Sequence, residues 1–399
     1  VRILFTFAGG SGHLEPFVPL ARAAERAGHT VAFAGRPWMV PKGEALGFAT
    51  FAAGSDIGLT PQRLPLAAVD LERDIRAVGT GFGHRIARER AADLLPLCAD
   101  WQPDILVCEE VDFGAMIVAE RLALPYAIVL VIAAGSFVRP AAVAAPLNEV
   151  RAEHGLSPDP NLAMLSRYLV LSPFPPSYRD PAFPLPATAH AVCLLIHDAA
   201  QNDAPLPWIT RLDSVPAVYF TLGTIYNMES GDLFQRVMAG LRDLPINLIV
   251  TVGRDIDPAE FGPQPANVHI EQYIPQTALL PHCRLVVSHG GSGSVMGALV
   301  HGVPMVLLPL GADQPLNAAR CETLGVARML DAVAATPQMV REAVVRVLED
   351  PSYRHAAEQI RDEIAALPGL EHAFTLIERL AMEKRPLFTN ASQHPQMTT

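Results

Sequence analysis

Between Ser288 and Asn317 the chain reads SHGGSGSVMGALVHGVPMVLLPLGADQPLN. An apolar run of strand character, Leu285–Ser288, enters a turn of small residues, His289-Gly290-Gly291-Ser292-Gly293-Ser294, from which a helix starts. A second apolar run, Pro304–Pro309, follows, and the stretch closes near Asp313-Gln314. Strand, glycine-rich turn, helix and strand form one α/β unit. The first N–H groups of a helix lack intrahelical partners, so such a turn attracts an anion, a phosphate above all. His289 can add charge or hydrogen bonds, and Asp313-Gln314 carries the donors and acceptors that sugar hydroxyls need. Gly291, Ser292, Gly293 and Ser294, with these three side chains, therefore read as a site for a nucleotide diphosphate bearing a sugar.

The same alternation runs through the chain. Strands are expected at Arg2–Phe7, His29–Ala34, Ile105–Cys108 and Tyr126–Val131, with helices at Leu14–Arg26 and Phe113–Leu122. Asp70–Ala99 reads as an amphipathic helix with arginines on its polar side. From Ser136 to Trp208 prolines crowd and periodicity is lost, which predicts loops and linker. Strands resume at Ala217–Thr221, Asn247–Thr251, Val268–Glu271 and Leu285–Ser288, with helices at Asp232–Leu241, Pro337–Glu349, Tyr353–Ala366 and Glu371–Lys384. Continuous apolar strands alternating with helices predict parallel sheets covered on both faces. The expected fold class is α/β, with two doubly wound, Rossmann-like domains facing a cleft. Their expected limits are 1–205 and 217–384, with a linker at 206–216 and a disordered tail at 385–399.

A chain of 399 residues, half of them hydrophobic, is long enough for two such cores. A net charge of −11 argues against a nucleic-acid partner or an anionic membrane surface. No apolar run reaches the length of a membrane span. Five scattered cysteines fit reduced thiols and have no zinc-site spacing. With a strand pattern beginning at Val1 and no leader-like segment, the expectation is a cytoplasmic protein.

Three further constellations carry chemistry. After the first strand comes Ala8-Gly9-Gly10-Ser11-Gly12-His13, in which His13 is a candidate general base. The glycine spacing is not the dinucleotide fingerprint, and the second strand does not end in an acidic residue, so a nicotinamide cofactor is disfavoured. A basic histidine needs a carboxylate to orient it. Glu109, Glu110 and Asp112 follow the strand ending at Cys108. Glu109 at the strand tip is the candidate partner, balanced against a plain solvated charge, whereas Glu110 and Asp112 read as solvated charges at a helix start. The turn Thr221-Leu222-Gly223-Thr224 offers hydroxyls to a diphosphate, or is simple turn chemistry. In Gln272-Tyr273-Ile274-Pro275-Gln276, Tyr273 or the Ile274 backbone suits a nucleobase, and Tyr273 equally suits a core.

Taken together, the stretch Gly12–Phe33, the FTLGT turn, Tyr273–Cys283 and the HGGSGS…GVP…DQ segment resemble the GT-B nucleotide-sugar glycosyltransferases. The chain is more closely similar to the bacterial natural-product branch of the superfamily that includes plant and animal UDP-glycosyltransferases. The resemblance spans nearly the whole chain. It implies that His13 deprotonates an acceptor hydroxyl and that Glu109 steadies it from a position often held by aspartate. It further implies that His289 and the Gly291–Ser294 amides bind the diphosphate with Thr224 opposite, that Asp313 and Gln314 hold sugar hydroxyls, and that Ile274 meets the base. Gly12, Thr221, Gly223, Tyr273 and Gln276 complete the implied donor site. Many UDP-sugar enzymes carry a glutamate eight residues after the phosphate-binding histidine, where it grips the ribose diol. Here that residue is Gly297, which turns the expectation toward a dTDP-linked, deoxygenated hexose.

The implied reaction is a single inverting displacement with no metal and no cofactor beyond the nucleotide-sugar co-substrate. The expected partners are that donor and a small hydrophobic acceptor such as a polyketide or macrolide, lined by Phe51, Phe82, Phe137 and Met164, each of which could equally be core. A homodimer is left open, as are a UDP-sugar donor and a non-catalytic helper of a partner transferase. A sugar-nucleotide epimerase of the same fold is a further rival.

Overall fold

The computed structural model describes residues 1–56, 63–194 and 215–389. The chain divides into two compact units, each built on its own parallel sheet.

The first unit comprises residues 1–58, 72–195 and 367–399. Its strands are β1 (Arg2–Thr6), β2 (Thr30–Gly35), β3 (Ala49–Ala52), β4 (Ile105–Glu109), β5 (Tyr126–Val129), β6 (Leu169–Ser172) and β7 (Ala189–Ala191). They lie in the order β3-β2-β1-β4-β5-β6-β7. The chain therefore moves outward from β1 through β2 and β3, then returns to β4 on the other side of β1. That reversal is where an open parallel sheet leaves a crevice at its carboxyl ends. Phe5, Phe7, Phe17 and Phe33 are fully buried beside these strands, and Phe5 and Phe33 stack at 5.3 Å.

Residues 59–71 and 196–366 make the second unit. Its strands are β8 (Ala217–Thr221), β9 (Asn247–Thr251), β10 (Val268–Glu271), β11 (Cys283–Ser288), β12 (Met305–Leu307) and β13 (Ala327–Met329). The order β10-β9-β8-β11-β12-β13 repeats the same reversal, between β8 and β11. Both central strands are buried along almost their whole length, as their unbroken apolar sequences require.

Several boundaries differ from the sequence expectation. The helix Leu370–Glu383, placed with the second domain from its position in the chain, belongs to the first unit. Phe374, Ile377 and Leu380 enter the first core, and Glu378 bonds His29 at 3.0 Å. Its apolar stripe announces a buried face without saying which core receives it. Part of the expected disordered tail is anchored: the Leu387 and Thr389 N–H groups donate to the carbonyls of Tyr168 and Ala187, and Leu387 is buried. Residues 390–399 lie outside the described residues, as does the expected linker except Val215 and Pro216. The proline-rich stretch holds a helix, Pro140–Glu153, and the strands β6 and β7. Its prolines fall in the first turn of that helix, inside it at Pro146, at the start of the 3₁₀ turn Pro176–Tyr178, and in loops.

The expected helix Asp70–Ala99 is three pieces in succession: Leu71–Ala77, a π-helical run Val78–Ile86, and Ala87–Trp101. The wide π turns coincide with Gly79, Gly81 and Gly83. A Cβ on Gly79 would meet the Ala142 carbonyl at 2.1 Å, so this segment packs directly on the backbone of the helix Pro140–Glu153.

Candidate functional site

In the first unit the site grows from the adjacency of β1 and β4. Their register pairs Thr6 with Cys108, so the turn that follows β1 meets the last residue of β4. Glu109 is fully buried there. One carboxylate oxygen accepts from the Ala8 N–H at 3.0 Å, and the other accepts from Nδ1 of His13 at 2.8 Å. The carboxylate thereby fixes the tautomer and leaves Nε2 to act as a base. His13 lies on the short helix Ser11–Leu14 and keeps 27% of its side chain exposed, while Glu109 keeps none. A Cβ on Gly9 would come within 2.3 Å of the imidazole, so the ring occupies space that only glycine leaves. Phe82, on the π-helical run, stacks over the ring at 6.4 Å and 11°. The longer reach of glutamate, compared with aspartate, is accommodated.

The neighbouring acids differ from the expected solvated charges. Glu110 is buried, accepts from the Val131 N–H at 2.7 Å and from the Ile132 N–H, and burial pushes its carboxyl up to about 7. Asp112 does cap the helix Phe113–Arg121, yet it is fully buried and forms a two-point pair with Arg90 at 2.8 and 2.6 Å. Arg90 also donates to the Ala53 and Ala34 carbonyls, which ties β2 and the end of β3 to the helix behind them. Sequence inspection missed Arg90, because nothing local distinguishes it from the other arginines of that helix.

In the second unit β8 and β11 pair Thr221 with Ser288, so the turns after both strands lie side by side. His289 is held between them. A Cβ on Gly223 would approach its ring to 2.7 Å and one on Gly291 to 2.5 Å. Burial drives the imidazole down to about 4. Of the two roles expected for it, charge or hydrogen bonding, the neutral form serves the second. Its Nδ1 is buried with no hydrogen-bond partner. The helix Ser292–Val300 starts one turn later with Gly291 as its N-cap and no acidic residue in its first turn, so its N–H groups and the adjoining turn present a positive potential.

Thr221 is buried, with its hydroxyl accepting from the Gly223 N–H, and Thr224 is exposed. Asp313 accepts from the Ser292 hydroxyl at 2.7 Å. Gln314 is 2% exposed and its carbonyl oxygen accepts from the Leu310 N–H, which leaves Nε2 as the polar atom that can meet a ligand. Ile274 is buried, so its backbone is what it can offer, whereas Tyr273 is 59% exposed with the Arg254 guanidinium 5.5 Å from its ring. That exposure removes the plain-core alternative for Tyr273. Gln276 reaches over Gly297, where an added Cβ would lie 2.9 Å from its Oε1.

Residues 235–378 match the model of the erythromycin biosynthesis protein CIII-like C-terminal domain. Over 95% of its length the chain is 28% identical to 4'-demethylrebeccamycin synthase of Lentzea aerocolonigenes, covering 99% of that protein. It is 27% identical to 10-deoxymethynolide desosaminyltransferase of Streptomyces venezuelae, covering 96% of this chain and 98% of the other. The glycosyltransferase VinC, solved in complex with dTDP, superimposes with a TM-score of 0.76 at 25% identity, over 96% of this chain and all of that one. The chain is a GT-B glycosyltransferase. Its sequence is similar to those of antibiotic-biosynthesis glycosyltransferases.

Among the acceptor candidates, the glycosyltransferase separates Phe82, beside His13, from the rest. Met164 is fully buried, its carbonyl accepting from the Tyr126 hydroxyl at 2.7 Å, and is a core residue rather than a pocket wall. Phe137 is 8% exposed. Phe51 packs edge-on against Trp101, whose ring also lies against Arg2. Among the described residues no helix is long and apolar enough to cross a membrane.

Proposed function

We propose that this glycosyltransferase moves a hexosyl group from a dTDP-linked donor to a hydroxyl of a hydrophobic small molecule, by one displacement that inverts the anomeric centre. The observation that carries the reading is the His13–Glu109 pair, whose bond at 2.8 Å leaves Nε2 directed by a fully buried carboxylate. Nε2 takes the proton of the acceptor hydroxyl as its oxygen bonds to the anomeric carbon. The bond from that carbon to the diphosphate oxygen breaks, and dTDP leaves with the electron pair. The negative charge that develops on the leaving group is met by the N–H groups of the turn and helix at Gly291–Ser294, by His289 as a neutral donor, and by Thr224. Charge stabilisation of this kind needs no metal. Asp313 and Gln314 hold sugar hydroxyls, and Tyr273 with the Ile274 backbone holds the base.

A dTDP donor is favoured by Gln276, which fills the space beside Gly297 where UDP-sugar enzymes place a ribose-gripping carboxylate. Likeness to a protein named for desosaminyl transfer and to a structure holding dTDP supports the same choice. The test is to incubate the purified chain with dTDP- and UDP-linked hexoses and a panel of macrolide and aromatic polyketide aglycones. Product is followed by mass spectrometry and its anomeric configuration by NMR. Turnover confined to UDP donors would overturn the donor assignment, and a retained anomeric configuration would overturn the single displacement.

A further inference from the structure

We infer that Asn317 is a positioning residue that ties the sugar-facing carboxylate of Asp313 to the phosphate-binding turn, so that the two halves of the donor are recognised as one. This rests on the donor site proposed above. Asn317 is wholly buried, one helical turn after Asp313 on the helix Gln314–Thr323. Its Nδ2 lies 2.8 Å from Asp313 Oδ2, 3.1 Å from the Ser292 hydroxyl and 3.1 Å from the Gly290 carbonyl. Gly290 and Ser292 belong to the turn expected to hold the diphosphate. Asp313 Oδ2 therefore takes two donors, from Asn317 and from Ser292, both in contact with that turn.

Only an amide meets this demand. Three oxygens surround Nδ2, and two N–H groups, one of them shared, can serve them. An alanine would strip a donor from a carboxylate and from a buried carbonyl. An aspartate would set a second carboxylate against Asp313. The preceding backbone is also constrained: Ala312 sits in the left-handed region at φ 53, unfavourable for a residue with a Cβ, and this brings Asp313 into place at the head of its helix. Gln314, the other amide of the segment, holds the Leu310 N–H in the same loop. In DQPLN Asn317 and the Gln314 carbonyl oxygen thus brace the loop, and the Asp313 carboxylate and Gln314 Nε2 are what it presents.

The experiment measures affinities for dTDP and dTDP-glucose by calorimetry in the wild type, Asn317→Ala, Asn317→Asp, Asp313→Ala and the Asp313→Ala/Asn317→Ala double variant, with thermal unfolding to confirm folding. We expect Asn317→Ala to weaken dTDP-glucose binding about ten- to a hundredfold and dTDP binding less. In the Asp313→Ala background the same change adds little to the loss of the glucosyl contribution. Relative to the wild type at the same pH, Asn317→Asp, which keeps the shape, is weak at pH 8 and recovers at pH 5.5 as its shared carboxyl takes up a proton and donates; a merely structural role predicts no such recovery. Unchanged dTDP-glucose affinity in Asn317→Ala, or losses that add in the double variant, would overturn the inference. If Asn317→Ala fails to fold, the pH recovery of Asn317→Asp decides in its place. A wild type that binds dTDP but gains nothing from the glucosyl group removes the role of Asp313 and this inference with it, whereas one that binds neither ligand overturns the proposed function itself.

Discussion

Glu109 holds His13 from one side: Oε2 accepts from Nδ1 while Oε1 is anchored by the Ala8 N–H, so the ring and the turn that carries it share one carboxylate. Replacing His13 by alanine removes the base without touching the core. Turnover should fall by about 10²–10⁴-fold with little change in the thermal midpoint. Glu109→Gln keeps the Ala8 bond but no longer enforces the Nδ1–H tautomer, and should lower kcat by about 10²-fold or more with donor KM nearly unchanged. Near-normal kcat in either variant would remove the pair from the mechanism.

His289 gives a pH prediction. Its folded value of about 4 lies below the ordinary 6.5, so the unfolded chain binds a proton that the folded chain refuses. The neutral ring costs nothing above the ordinary value. As pH falls from there toward the folded value, stability drops progressively, by about 3 kcal/mol at most. Denaturant unfolding at pH 7 and pH 4 should show that extra loss in the wild type and not in His289→Gln. A diphosphate beside the ring favours its protonated form, so dTDP binding at pH 5 should take up a proton. Calorimetry in buffers of different ionisation enthalpy reads that uptake directly, and its absence would place the diphosphate away from His289.

The buried pair Arg90–Asp112 is a stability element. Arg90→Ala leaves Asp112 charged in the interior and also removes donors from the Ala34 and Ala53 carbonyls. The expected cost is about 3–5 kcal/mol by denaturant titration. A loss below about 1 kcal/mol would mean that water reaches Asp112.

Gly297 and Gln276 compete for one space. Gly297→Glu alone should therefore reduce turnover of dTDP donors by about tenfold or more, through displaced Gln276, without gain for UDP donors. With Gln276→Ala in addition, the carboxylate has room, and the ratio of UDP to dTDP turnover should rise. Equal ratios in wild type and double variant would show that this position does not read the nucleoside.

Much of the site was legible because its parts are local. A strand, a glycine turn and a helix start are decided by residues close together in sequence, so His13, Gly223 and the run from His289 to Ser294 could be singled out before any pairing was known. The proline-rich middle misled. Proline breaks periodicity locally, yet β6 needs only four residues, Leu169–Ser172, to join a sheet. For Met164 the choice between pocket wall and core stays open in the sequence, because an apolar side chain looks the same there whether it faces a ligand or a core.

What the sequence determined by itself was the alternation of short apolar strands with helices and the chemistry of each turn, both properties of neighbouring residues. The tertiary structure decided which distant segments meet. It brought Glu109 to His13 across 96 positions by setting β4 beside β1, gave the helix Leu370–Glu383 to the first core, and enclosed His289 tightly enough to keep it neutral. Strand order and burial depend on how whole sheets and their covering helices exclude water together, and no single segment carries that information.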